Sequence, residues 1–116
     1  MKTPIHRLVT PYSLAKKLYN IKVKIKKTLF YWLKSPVNGT EELVTMLEKD
    51  RGTFTEDCYI YAPTLPELLA VLNGDYCGFE RDKGYIHCEI IEGIYVYKGI
   101  GTDMIASVVD LLLKIK

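Results

Sequence analysis

Residues 76–97, Tyr-Cys-Gly-Phe-Glu-Arg-Asp-Lys-Gly-Tyr-Ile-His-Cys-Glu-Ile-Ile-Glu-Gly-Ile-Tyr-Val-Tyr, decide the fold. β-Branched and aromatic residues return at the two-residue period of a pleated strand, not at the spacing of a helix. Asp82-Lys83-Gly84 and Glu92-Gly93 punctuate the run as hairpin turns. The reading is an antiparallel meander of 76–81, 85–91 and 94–97, ended by the glycines at 99–101.

Toward the C-terminus, Thr102-Asp103 caps a final helix over 103–115. Met104, Ile105, Val108, Leu111, Leu112 and Ile115 give it a broad apolar face, with Leu113 nearly opposite. A patch of Val109 and Leu113 is expected to bury in a two-fold contact, which makes a homodimer the expected assembly. Toward the N-terminus, Thr64-Leu65-Pro66-Glu67 has the spacing of a capping box and opens a helix over 64–73. A strand is expected over 54–61. Thr40, with Glu41 and Glu42 in the first turn, predicts a helix over 41–50 that buries Leu43, Val44, Met46 and Leu47. Thr28 to Leu33 reads as a strand that ends in the turn Ser35-Pro36-Val37-Asn38-Gly39. Thr10-Pro11 reads as a hydroxyl cap with proline in the first turn of a helix over 11–20.

Between these lies Ile21-Lys22-Val23-Lys24-Ile25-Lys26, which alternates apolar and basic residues without a fault. A helix would also align Leu14, Leu18, Ile21, Ile25, Leu29 and Trp32, but it would strand Val23 among lysines. The strand reading over 21–27 is preferred, with Ile21, Val23 and Ile25 inside. The sum is a single α+β domain over 1–116: an antiparallel sheet of four to five strands with about four short helices packed against it.

A chain of 116 residues with 48% apolar and 26% charged residues is an ordinary globular domain with room for one core. That excludes collagen-like, mucin-like and wholly disordered chains. No apolar run approaches a membrane span; 104–115 is interrupted by Ser107, Asp110 and Lys114. No signal-peptide pattern precedes it. A cytoplasmic protein with no membrane partner is expected.

The small net charge of +2 conceals a division. Residues 1–40 hold eight lysines and Arg7 with no acid, whereas 41–116 hold all fourteen acids. The basic third either forms a patch for anions and nucleic acid or folds back onto the acids and is neutralised. On a strand, Lys22, Lys24 and Lys26 would stand about 6.6 Å apart, a comb suited to a phosphate backbone. Lys16, Lys17 and Lys27 lie close by. A solvated edge that lysines guard against further pairing is the plainer alternative.

Nine tyrosines are the other feature. Tyr59, Tyr61, Tyr85, Tyr95 and Tyr97 alternate with Ile60, Ile86, Cys88, Ile90 and Val96, so a tyrosine-lined sheet face is expected either to stack bases or bury in a protein partner, or simply to carry the packed helices.

Catalytic and metal patterns are thin. Cys58, Cys77 and Cys88 are odd in number and widely spaced, which predicts reduced structural thiols, with a disulfide, a metal ligand or a nucleophile as alternatives. His87 and Cys88 are neighbours on a strand and point to opposite faces. A Cys77–His87 pair across the hairpin is conceivable. Glu89 shares a strand face with His87 and Tyr85, as expected for the solvent side of an edge strand. The usual metal spacings are missing. Gly99-Ile100-Gly101-Thr102-Asp103 lacks the length and the lysine of a P-loop, and Asn38-Gly39-Thr40 reads as a turn and a helix cap. No metal, cofactor or catalytic set is expected.

Tyr12-Ser13-Leu14-Ala15-Lys16-Lys17-Leu18, Ala62-Pro63-Thr64-Leu65-Pro66-Glu67-Leu68-Leu69, the tyrosine-rich meander and the apolar last helix occur in that order. In this the chain resembles a group of short proteins encoded by gut Bacteroides-type bacteria and their phages. The resemblance implies an α+β organisation and brings no activity or binding residues. The chain departs from the pattern in its crowded lysines at 22–27 and in Val71, where the group often carries tryptophan. The expected function is non-enzymatic: a small protein-binding or accessory protein, phage-related by the resemblance. Nucleic-acid binding through the basic third is the alternative, and a small enzyme the third reading.

Overall fold

The structure is a computed structural model that describes residues 7–23, 25, 28–72 and 76–115. The chain runs α1 (Tyr12–Asn20), β1 (Phe30–Lys34), β2 (Glu41–Thr45), α2 (Met46–Arg51), a 3-10 turn (Glu56–Cys58) and β3 (Tyr59–Tyr61). It continues through α3 (Leu65–Leu69), β4 (Tyr76–Asp82), β5 (Tyr85–Glu92), β6 (Tyr95–Gly101) and α4 (Met104–Ile115).

The three-stranded meander is present, with its third strand longer than read. β4 and β6 flank β5, with Glu80 opposite His87, Cys88 opposite Gly99 and Ile90 opposite Tyr97. Lys83 (φ 51°) and Gly84 (φ 82°) turn the first hairpin in the left-handed region that such tight turns require. One face of this sheet, with Phe79, Cys88, Ile90 and Tyr97, packs on Ile105, Val108, Val109, Leu111 and Leu112 of α4. The glycines at 99 and 101 continue β6 where a strand end was expected. They are the reason α4 can lie so close: a Cβ at Gly99 would run into Ser107 and Leu111, and one at Gly101 into Ala106 and Ser107.

The expectation of one sheet of four to five strands is wrong. The six strands of the described residues form two separate three-stranded antiparallel sheets, ordered β2-β1-β3 and β4-β5-β6. Period marks a strand but does not say which strand it pairs with. β1 takes a partner on each edge, Trp32 standing opposite Leu43 of β2 and Ile60 of β3. Val9, Ala15, Trp32, Ile60 and Ala62 form the core of this sheet against α1. Leu18, one turn further along α1, belongs to the larger core with Leu68 and α4. α1 is therefore the seam between the halves. The Cα radius of gyration is 15.0 Å, against about 13 Å for a compact domain of this length, in keeping with two small sheets side by side.

The helix expected over 41–50 is a strand followed by a helix. Thr45 caps α2 through a reciprocal pair, Thr45 N donating to Glu48 Oε1 at 3.1 Å and Glu48 N to Thr45 Oγ1 at 3.2 Å. The Thr45…Glu48 spacing is the signal missed in the sequence, and Thr40 instead hydrogen-bonds Asn38 in the β1–β2 turn. The capping box at Thr64 and Glu67 is present, though α3 stops at Leu69. Only the last three residues of the strand expected over 54–61 pair. Thr10 does not cap α1: its hydroxyl is buried and donates to Pro63 O at 2.8 Å, and Thr10 O accepts from Trp32 Nε1 at 2.8 Å.

The strand expected over 21–27 is also overturned for the residues described. α1 ends in a Schellman turn, with Lys22 N donating to Tyr19 O, Val23 N to Leu18 O, and Lys22 at φ 61°. Val23 and Ile25 are buried as read, Ile21 is exposed, and Lys24, Lys26 and Lys27 lie outside the described residues. The patch expected to drive dimerisation is not on the surface either: Val109 is fully buried and Leu113 packs against the same core.

Candidate functional site

The outward face of the first sheet gathers aromatic rings. Strand parity places Tyr31 of β1 beside Tyr61 and near Tyr59 of β3, with ring centroids 5.8 and 6.4 Å away. Lys49 of α2 reaches over them, its ammonium 5.0 Å from the Tyr31 centroid and 5.4 Å from that of Tyr59, attracted by the ring quadrupoles. The same nitrogen is 2.7 Å from Glu56 Oε1. That hydrogen bond, together with the negative charges around it, holds the Lys49 ammonium above its ordinary pKa against the cost of burial. Burial raises the Tyr31 phenol, partly opposed by Lys49. With Tyr19, Asp57 and Ile60 these groups line an open cleft of about 420 Å³. Tyr19 and Tyr61 remain exposed at its rim.

Of the five tyrosines singled out in the sequence, only Tyr59 and Tyr61 are in this cleft. Tyr85, Tyr95 and Tyr97 belong to the second sheet, on two different faces. Tyr95 and Tyr97 stack at 6.4 Å on the face that carries Ile90, whereas Tyr85 shares the opposite face with His87. The single tyrosine face is thus corrected, because alternation within a strand fixes parity and not the sheet to which it applies. Tyr19, Tyr31, Lys49, Glu56 and Asp57 were not read as site residues. Nothing in the spacing of Tyr31 announces that Tyr59 and Tyr61 will pair beside it.

Across the second sheet, Gly78, Glu80, Asp82, His87, Glu89 and Lys98 surround a shallow hollow of about 350 Å³, with Phe79 at its edge. Glu89 and Lys98 form an exposed ion pair at 3.7 Å. Glu89 does share its face with His87 and Tyr85, but β5 is the middle strand and not an edge. In the strand register Cys77 falls opposite Ile90 and His87 opposite Glu80, which separates that conceivable pair. Cys88 is buried on the other face, and Cys58 is half-buried beside Thr55. Among the described residues no three His, Cys, Asp or Glu side chains are grouped to hold a metal ion. Nor is any helix long and apolar enough to cross a membrane.

Lys16, Lys17 and Lys22 are exposed near the end of α1. The described residues include no ion pair between the basic third and the acids of 41–116, although Lys34 stands opposite Glu41 in the strand register. Their ion pairs join Lys49 to Glu56, Lys98 to Glu89 and Lys114 to Asp110, all within 41–116. Lys16 instead lies 5.0 Å over Tyr19, and Lys34 lies 5.5 Å over Tyr12. Compared with family models, with curated proteins and with solved structures, the chain matches none.

Proposed function

We propose that the chain is a small, non-enzymatic binding protein that takes up a segment of a partner protein in the tyrosine cleft of its first sheet. The observation that carries this reading is the convergence of Tyr19, Tyr31, Tyr59 and Tyr61 around the Lys49–Glu56 pair. Tyrosines with exposed edges supply large contact area at little conformational cost, and they rank among the residues that dominate binding energy. Glu56 and Asp57 at the rim favour a segment with a cationic side chain, which could stack on Tyr61 and pair with a carboxylate. A photo-crosslinking amino acid at position 61, used in the source cells, should trap one partner protein. Binding of that purified partner should weaken about tenfold in Tyr61→Ala. Undiminished affinity in Tyr61→Ala and in Tyr19→Ala would reject the cleft.

A second reading, single-stranded nucleic acid, is favoured by one observation: Lys16, Lys17 and Lys22 have no ion-pair partner among the described residues, and Lys16 stacks on Tyr19 at the cleft. Basic groups beside stacking rings are the usual equipment for single strands. In that case binding to a single-stranded oligonucleotide should fall steeply with salt. Replacing the three lysines by glutamine should lower the log–log slope by about 2. A flat salt response would dismiss it.

A further inference from the structure

We propose that the groove between the first turns of α3 and α4 binds an aliphatic carboxylate. Leu65 and Pro66 of α3, Met104 and Ile105 of α4, Ile86 of β5 and Leu8 line it, and it encloses about 630 Å³. Such a volume is within the range of small-ligand sites, about 300–1,000 Å³. Leu8 and Met104 leave 62% and 42% of their surface in water, which is costly unless something apolar covers them.

Charge identifies the other end of the occupant. Arg7 and Arg81 both line the groove, both are exposed, and neither is among the ion pairs of the described residues. The one acid there, Asp103, is committed to capping α4, its Oδ1 accepting from Ala106 N at 2.7 Å. Two guanidinium charges against that one carboxylate leave the groove with a net positive charge. A guanidinium matches a carboxylate with two parallel hydrogen bonds. Inorganic phosphate would use the arginines and leave the apolar lining wet, and an uncharged lipid would do the reverse. An apolar chain that ends in a carboxylate satisfies both.

The groove shares no residue with the tyrosine cleft, so its test and that of the partner segment fail independently. The full chain, with labelled methyl groups, would be titrated with dodecanoate below its micelle concentration and followed by NMR. Saturable shifts should centre on Ile86, Leu65, Ile105 and Met104, and 1-dodecanol should bind about tenfold more weakly. The double variant Arg7→Gln/Arg81→Gln should lose about tenfold in affinity for dodecanoate and little for the alcohol. Met104→Glu, at an exposed position, should abolish binding by setting a like charge in the groove. Equal affinity for the acid and the alcohol would overturn the proposal, as would shifts centred on Leu43 and Ile60 of the first sheet. Saturable shifts with an acidic, leucine-rich peptide but none with dodecanoate would replace the carboxylate with a protein partner. If the double variant does not fold, the comparison of acid and alcohol on the wild type decides.

Discussion

Lys49 makes three contacts with one nitrogen, two to tyrosine rings and one to Glu56. Both Lys49 and Tyr31 have pKa values raised above the ordinary 10.5 and 10.0. The folded chain therefore holds these protons more tightly than the unfolded chain, and the contribution is complete at pH below both ordinary values. It is lost as pH climbs through the folded values. Urea midpoints measured from about pH 9 to about pH 11.5 should decline, and Glu56→Gln, which removes the largest cause of the Lys49 shift, should flatten that decline. Identical declines would show that the pair contributes nothing. Lys22 is the other telling residue. Its φ of 61° suits glycine, and a side chain there costs about 1 kcal/mol. Lys22→Gly should raise stability by at most about 0.6 kcal/mol after the entropy of the freer unfolded chain is subtracted, and a lowered urea midpoint would contradict it. The burial of Val23 and Ile25 was legible in the alternation. Its cause was not, since Val23 is buried against Leu18 by the helix-ending turn.

Elements were legible where capping chemistry and period agree. The α3 start was read from Thr64 and Glu67, and the meander from its turns. Residues 41–45 were misread because Glu41 and Glu42 suit a helix N-terminus as well as an exposed strand end, and pairing with β1 decides between them. The packing of α4 on β6 rests on two glycines that leave no room for a methyl group. Gly99→Ala should cost about 1–3 kcal/mol in denaturant titrations, because the atoms in the way belong to the backbone of α4. A neutral outcome would mean that α4 can shift outward. The edge of β6 is also covered by α4: Ile100 N donates to Asp110 Oδ2 at 2.8 Å, and Lys114 Nζ donates to Lys98 O at 3.2 Å. Side chains of a helix thus meet main-chain groups that an open edge would offer to another strand.

The whole molecule depends on α1, which sends Ala15 into the core of the first sheet and Leu18 into that of the second. Two sheets that share one helix should unfold together. Trp32, the single tryptophan, reports the first sheet by fluorescence, and far-UV circular dichroism reports both. The two urea transitions should coincide in the wild type. Leu18→Ala should destabilise by about 2–5 kcal/mol and shift both probes equally. A fluorescence transition that precedes the dichroic one would make the halves independent units.

By itself the sequence determined that strands and short helices would alternate in one α+β chain, that 76–97 would form a meander, and where one helix would begin. These are local properties: period, turn chemistry and caps act within a few residues, and a single sequence states them. Only the tertiary structure decided that the strands divide into two sheets, that Tyr31 joins Tyr59 and Tyr61 under Lys49, and that Val109 is inside. Each of these depends on which distant segment supplies the other half of a contact. Parity says which side chains share a face, and only pairing says what that face meets.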